Sequence, residues 1–180
     1  MNSYENQLWY KIVKRFSLLL SFKTALVTTL CYYAGFYLSS FYHFSMPAVG
    51  GLWCAISGVV VLQVFIGESF KAAWLRILGS FVGASTSYIF SLFAPYSIPL
   101  LGLCVFSTVM LTSFFKIKET FRLASLTAAI IIILGMLNPA VTPFENAFSR
   151  FIESATGALI AIIITALFFP LRKKLHLLGR

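Results

Sequence analysis

Residues 70–84 read FKAAWLRILGSFVGA and residues 144–158 read FENAFSRFIESATGA. Phe, Ala, Arg, Ser, Gly and Ala recur at an offset of 74 residues, and the same offset carries Leu52 to Leu126, Ala55 to Ala129 and Ile56 to Ile130. The first copy matches Gly79 with Glu153 in the second, so the halves are related and have diverged. An arginine stands in the middle of each copy, in otherwise apolar text.

The surrounding composition says what kind of text this is. The chain has 180 residues, of which 59% are hydrophobic and 11% charged. Its mean hydropathy is +0.91. A soluble domain carries about 25% charged residues, and a core of this size cannot hide so much apolar surface. The expected solvent is the lipid bilayer.

Six stretches approach the roughly 20 apolar residues of a spanning helix: about 22–42, 48–66, 74–94, 97–115, 122–138 and 151–170. Their length and lack of strict alternation favour helices over a barrel. The predicted class is an all-α polytopic membrane protein with six transmembrane helices. The expected parts are a cytoplasmic amphipathic segment (1–21), a membrane module (22–171) and a basic cytoplasmic tail (172–180). Residues 1–21 place Leu8, Trp9, Ile12, Val13 and Phe16 at helical spacing with Lys11, Lys14 and Arg15 between them, the pattern of a helix lying on a membrane surface. The first apolar run lacks a clear cleavage site and reads as a retained span.

Three spans per copy make the repeats, about 22–95 and 97–170, inverted relative to each other. Inverted repeats are a common plan for secondary transporters, and some channels use them too. Net charge is +9, and the basic residues flank apolar runs. Lys23, Lys71, Arg76, Lys116, Lys118, Arg122 and the 172–174 cluster fall on one side and Arg150 on the other, which places both termini in the cytoplasm. Without a basic folded module, nucleic acid is not an expected partner.

On a helix, Arg76, Gly79, Ser80, Gly83 and Ser87 share one face, and Arg150, Ser154, Gly157 and Ala161 share its counterpart. Small residues let helices approach closely, so these faces are expected to pack the third span against the sixth. The arginines have two readings. In the first, Arg76 anchors the inner surface and Arg150 is neutralised by Glu145, Glu153 or both; in the second, the two guanidiniums, with Lys23, line an anion path. Arginine's planar fork suits a carboxylate. Glu68 and Glu153 are expected as salt partners or coupling groups. Gln63 reads as a helix–helix hydrogen-bonding group.

HExxH, GxSxG and a P-loop are absent from the sequence, so no enzyme is expected. Cys31, Cys54 and Cys104 have no ligand spacing, and no metal or cofactor is expected. His43 and His176 lie outside the spans.

Residues 47–84, PAVGGLWCAISGVVVLQVFIGESFKAAWLRILGSFVGA, resemble the fusaric acid resistance (FUSC) and aromatic acid exporter family. The Trp53 helix, VVVLQ (59–63) and above all RILGSFVG (76–83) carry the resemblance, the last against a pattern R-x-x-G-T-x-x-G with Ser80 where Thr is common. Plant aluminium-activated malate channels are similar in this region. The resemblance covers about 48–170. It implies a six-span module in a bacterial cytoplasmic membrane, export of organic anions such as aromatic carboxylates, and association as a homodimer or higher oligomer. A non-transporting scaffold within a larger membrane complex is the alternative.

Overall fold

The computed structural model describes residues 18–63 and 65–178. The expected amphipathic segment, apart from residues 18–21, lies outside them. Among the described residues there are six α-helices and no strands: α1 (Leu18–Phe41), α2 (Pro47–Val61), α3 (Ile66–Phe93), α4 (Ile98–Phe114), α5 (Phe121–Leu137) and α6 (Pro143–Leu178). A single 3₁₀ turn, Lys118–Thr120, precedes α5.

Local chemistry explains the boundaries. Pro47 opens α2, and Ser97 Oγ accepts from Leu100 N at the start of α4. α1 and α4 end alike. His43 and Lys116 adopt φ of 57°. The following N–H groups, of Phe44 and Ile117, then donate back to the carbonyls of Ser39 and Thr112 at 2.9 and 3.0 Å. This is the left-handed termination that satisfies a helix's last carbonyls.

Three helices differ from the sequence reading. α2 stops at Val61 rather than near residue 66, after three β-branched valines of low helix propensity. α3 begins at Ile66, eight residues before Trp74. Glu68, Lys71 and Ala72 are good helix formers that a hydropathy criterion rejects. α6 begins at Pro143 rather than 151. Thr142 Oγ1 accepts from Glu145 N at 3.2 Å, so TPFE (142–145) caps the helix with proline in its first turn. α6 also runs through Pro170, the expected stop, to Leu178. One proline removes a single N–H bond, and the following Leu, Arg and Lys are helix formers.

By length and composition one helix segment, Pro143–Pro170, is long and apolar enough to cross a membrane among the described residues. α2, α4 and α5 are shorter apolar helices.

α6 packs on α2, α3 and α1, while α3 packs on α6, α5 and α4. α1 pairs with α2, and α4 pairs with α5. One end of the bundle joins Ser45 to Glu145 and Tyr96 to Gly135. The other joins Lys23 to Gln63, Ser69 to Thr165 and Lys71 to Glu119. Gln63 therefore acts through its backbone beyond the end of α2. Its carbonyl accepts from Lys23 and its N–H donates to Ser69 Oγ.

The surface is apolar and the interior is mixed. Phe41, Trp74, Phe93, Phe106 and Phe114 are exposed, whereas Arg76, Arg150, Glu153 and several Ser and Thr residues are buried.

Candidate functional site

The glycines position the site. A Cβ at Gly83 would strike the carbonyl oxygen of Ala124 and meet Ala128 N at 3.0 Å, both on α5. A Cβ at Gly157 would strike the carbonyl oxygen of Cys54 and meet Gly58 N at 3.0 Å, both on α2. Each glycine thus seats on a carbonyl and the amide four residues later. Gly79 also meets α5, at Leu123 and Ala124. The small faces therefore clamp α3 to α5 and α6 to α2. The expectation that they join α3 to α6 is corrected for the glycines alone: α3 does pack on α6, through Arg76 against Ser154, Ala73 with Ala161, Phe81 against Phe151 and Tyr88 against Phe144.

With α5 holding the glycine face of α3, Arg76 points to where α2, α3 and α6 meet. Its side chain is 1% exposed. Nε and Nη2 donate to Ser57 Oγ at 3.1 and 2.8 Å, and Nη2 reaches Ser154 Oγ at 3.4 Å. The guanidinium carbon lies 4.7 Å from the Trp53 ring centroid. Ser57 Oγ is oriented as an acceptor because its own proton goes to the Trp53 carbonyl at 2.9 Å. Among the described residues no carboxylate lies within 4.0 Å of Arg76. Hydroxyl dipoles and an aromatic face solvate this cation, leaving its full charge. Trp53 Nε1 and Ser80 Oγ are buried without a hydrogen-bond partner.

Arg150 has different company. It is 3% exposed, and its Nη2 donates to Glu153 Oε1 at 3.0 Å. Ser39 Oγ on α1 donates to the same oxygen at 2.8 Å. Ser149 Oγ stands 3.4 Å from Nε and Nη2. Arg150 Nη1 and Glu153 Oε2 are buried and unpartnered. A cavity of about 10 Å³ beside Arg150, lined also by Ser45, Asn146 and Ser149, has room for about one water.

Both arginines and Glu153 lie deeper in their helices than the sequence reading placed them. Early starts of α3 and α6 put Arg76 and Glu153 about three turns in and Arg150 about two. Glu153 was expected near the end of the sixth span, and it is 0% exposed. Lys23 is 6% exposed at the far end of the bundle, bonded to Gln63 O at 2.9 Å. Glu68 is exposed in the first turn of α3. It is not the partner of Lys71, which pairs with Glu119 at 2.9 Å. Glu145 accepts from Ser45 N and Oγ, leaving Glu153 as the partner of Arg150.

Sequence reasoning missed Ser57 and Ser39 as partners. Ser57 follows Trp53 by four residues, so both share a face of α2, and that spacing was available as a signal.

Residues 23–164 match the family described as fusaric acid resistance protein-like. The chain belongs to this family. No curated protein and no solved structure matches it. The match encloses Arg76, Arg150, Glu153 and both glycine clamps. Membership in the fusaric acid resistance protein-like family supports a membrane transport or resistance role.

Proposed function

We propose that this chain is an exporter or channel subunit for organic anions, with aromatic carboxylates as the substrate class. The observation that carries the reading is Arg76: a buried guanidinium held by hydroxyls and an indole face, with no carboxylate among the described residues to cancel it. Burying an unpaired charge costs several kcal/mol, and such residues in membrane proteins mark substrate pathways. An aromatic carboxylate offers a charge to Arg76 and a ring to Trp53. The family's own description names fusaric acid, which is itself an aromatic carboxylate.

In this reading all six helices cross a bacterial cytoplasmic membrane as two inverted repeats, α1–α3 and α4–α6, with both termini inside. The helix pairing supports it. Exchanging α1 with α4, α2 with α5 and α3 with α6 leaves the set of main packed pairs unchanged. The matched endings of α1 and α4 and the matched seats of Gly83 and Gly157 obey the same exchange. The module works as a homodimer or higher homo-oligomer.

The test is uptake of labelled 4-hydroxybenzoate by proteoliposomes holding the full chain, with a neutral solute as control. Selective flux that falls in Arg76→Gln supports the proposal. A folded wild type without anion flux would move the reading to a non-transporting scaffold.

A further inference from the structure

The two arginines occupy matched places in the sequence repeat, and one position makes them differ. Where the first copy has Gly79, the second has Glu153. Arg76 keeps its charge open, while Arg150 is covered by a carboxylate from its own helix.

The covering carboxylate sits in a built pocket. Glu153 Oε1 is gripped from two helices, by Arg150 Nη2 at 3.0 Å and Ser39 Oγ at 2.8 Å. Gly50 of α2 closes the back, because any Cβ there would meet Ser39 Oγ and Glu153 Oε1, the latter at 2.6 Å. The other half of the fork, Arg150 Nη1, is buried with nothing to bond. Glu153 Oε2 is equally unpartnered, so the pair is single-bonded where a guanidinium and a carboxylate can make two parallel bonds. A residue three positions along the same helix reaches the fork from one side and leaves the rest of it open. The small cavity touches Arg150 from the Ser45 end of the bundle, where Glu145, on the same helix and bonded to Ser45, also lines it.

We propose that Arg150 and Ser39 form a second carboxylate-binding site, with Ser149 accepting from the guanidinium and so positioning it, and that Glu153 is the tethered occupant. A free carboxylate binds by taking Arg150 from Glu153. The displaced Glu153 then takes up one proton from water, since a carboxylate stripped of its guanidinium in this interior holds its charge poorly. Substrate binding and protonation of Glu153 are therefore positively linked, each raising the affinity for the other by the same factor. The inference rests on the anion-transport reading and deepens it.

The surroundings leave Arg150 as the charged partner of Glu153. α1 presents Ser39, and its one charged residue, Lys23, lies 16 positions away, about 24 Å along the helix. α2 has no charged residue and presents Gly50 and the buried thiol of Cys54. α3 presents Arg76, which bonds the neighbouring Ser154. α5 carries only Arg122, which is exposed in its first turn.

Two measurements on the full chain test this. The first is uptake of labelled 4-hydroxybenzoate at neutral and mildly acidic pH. Wild-type flux is expected to rise on acidification. Glu153→Gln is expected to be about five-fold or more faster than wild type at neutral pH and to lose the acid enhancement. Adding Arg150→Gln should abolish the gain. The second needs no variant: infrared difference spectra of wild type with and without benzoate should show a protonated carboxyl C=O band appearing on binding. Flux without that band, and without a gain in folded Glu153→Gln, overturns the tethered-occupant inference and leaves the transport reading intact. The band without flux supports the site and removes the transport reading. Neither band nor flux removes both.

Discussion

The Arg76 guanidinium lies 4.7 Å over the Trp53 ring while bonding Ser57 one turn further along the same helix, so one cation of α3 engages two residues of α2. That cation has no counter-charge among the described residues, which separates its effect on activity from its effect on stability.

Arg76→Gln keeps a donor for Ser57 and removes the desolvated charge. Thermal stability is expected to hold or to rise by about 1 kcal/mol. Anion flux is expected to fall about ten-fold, the value of one lost charge-assisted hydrogen bond of roughly 1.5 kcal/mol. A thermal melt and a flux assay on one preparation check both. A large loss of stability would mean that Arg76 is structural.

Gly83→Ala and Gly157→Ala push a methyl into the backbone of α5 and α2, and each should cost about 1–3 kcal/mol. At Gly67 and Gly102 a Cβ would have no other atom within 4 Å beyond its own stretch of chain. Alanine there should be neutral or stabilising by up to about 1 kcal/mol. Melts of the four variants measure the contrast directly.

Lys71 and Glu119 make the other ion pair of the described residues, with side chains 66% and 64% exposed. Removing either should change stability by no more than about 0.5 kcal/mol, and a double-mutant cycle should find almost no coupling.

Topology is open to thiol labelling. Cys31, Cys54 and Cys104 are all 0% exposed, so the native background should be silent to a membrane-impermeant maleimide. Cysteine at His43 should react in intact cells, and cysteine at Lys116 only after the membrane is opened. Reaction of both from outside would refute the six-span arrangement.

Hydropathy alone located six helices, because apolar runs and the prolines at 47, 99 and 139 punctuate the chain plainly. It misjudged the starts of α3 and α6, where Glu68, Lys71, Glu145 and Arg150 are polar yet helical. The TPFE cap at 142–145 carried the missing signal. The 74-residue offset brought Arg76 and Arg150 forward as a pair, and it marked Glu153 as the divergent position. It did not reveal which helix each glycine meets, since Gly79 and Gly83 face α5 only once three-dimensional packing has set the rotation of α3. Nor did it reveal that Ser57 and Ser39 converge on the charges, because hydroxyls in apolar helices more often bond their own preceding turn, as Thr24, Thr28 and Thr108 do here.

The short helices have a mechanical consequence. α2 has 15 residues, and α4 and α5 have 17 each, so they rise about 22–26 Å. Pro143–Pro170 of α6 has 28 residues and rises about 42 Å. A hydrocarbon layer about 30 Å thick matches neither. A membrane crossed by all of them must thin beside α2, α4 and α5, while α6 leans to fit. Acyl-chain length therefore bears on the angle at which α6 meets α2 and α3, which is the junction that holds Arg76. In that six-span arrangement lipid thickness becomes a dial on the protein, one that acts without touching either charge.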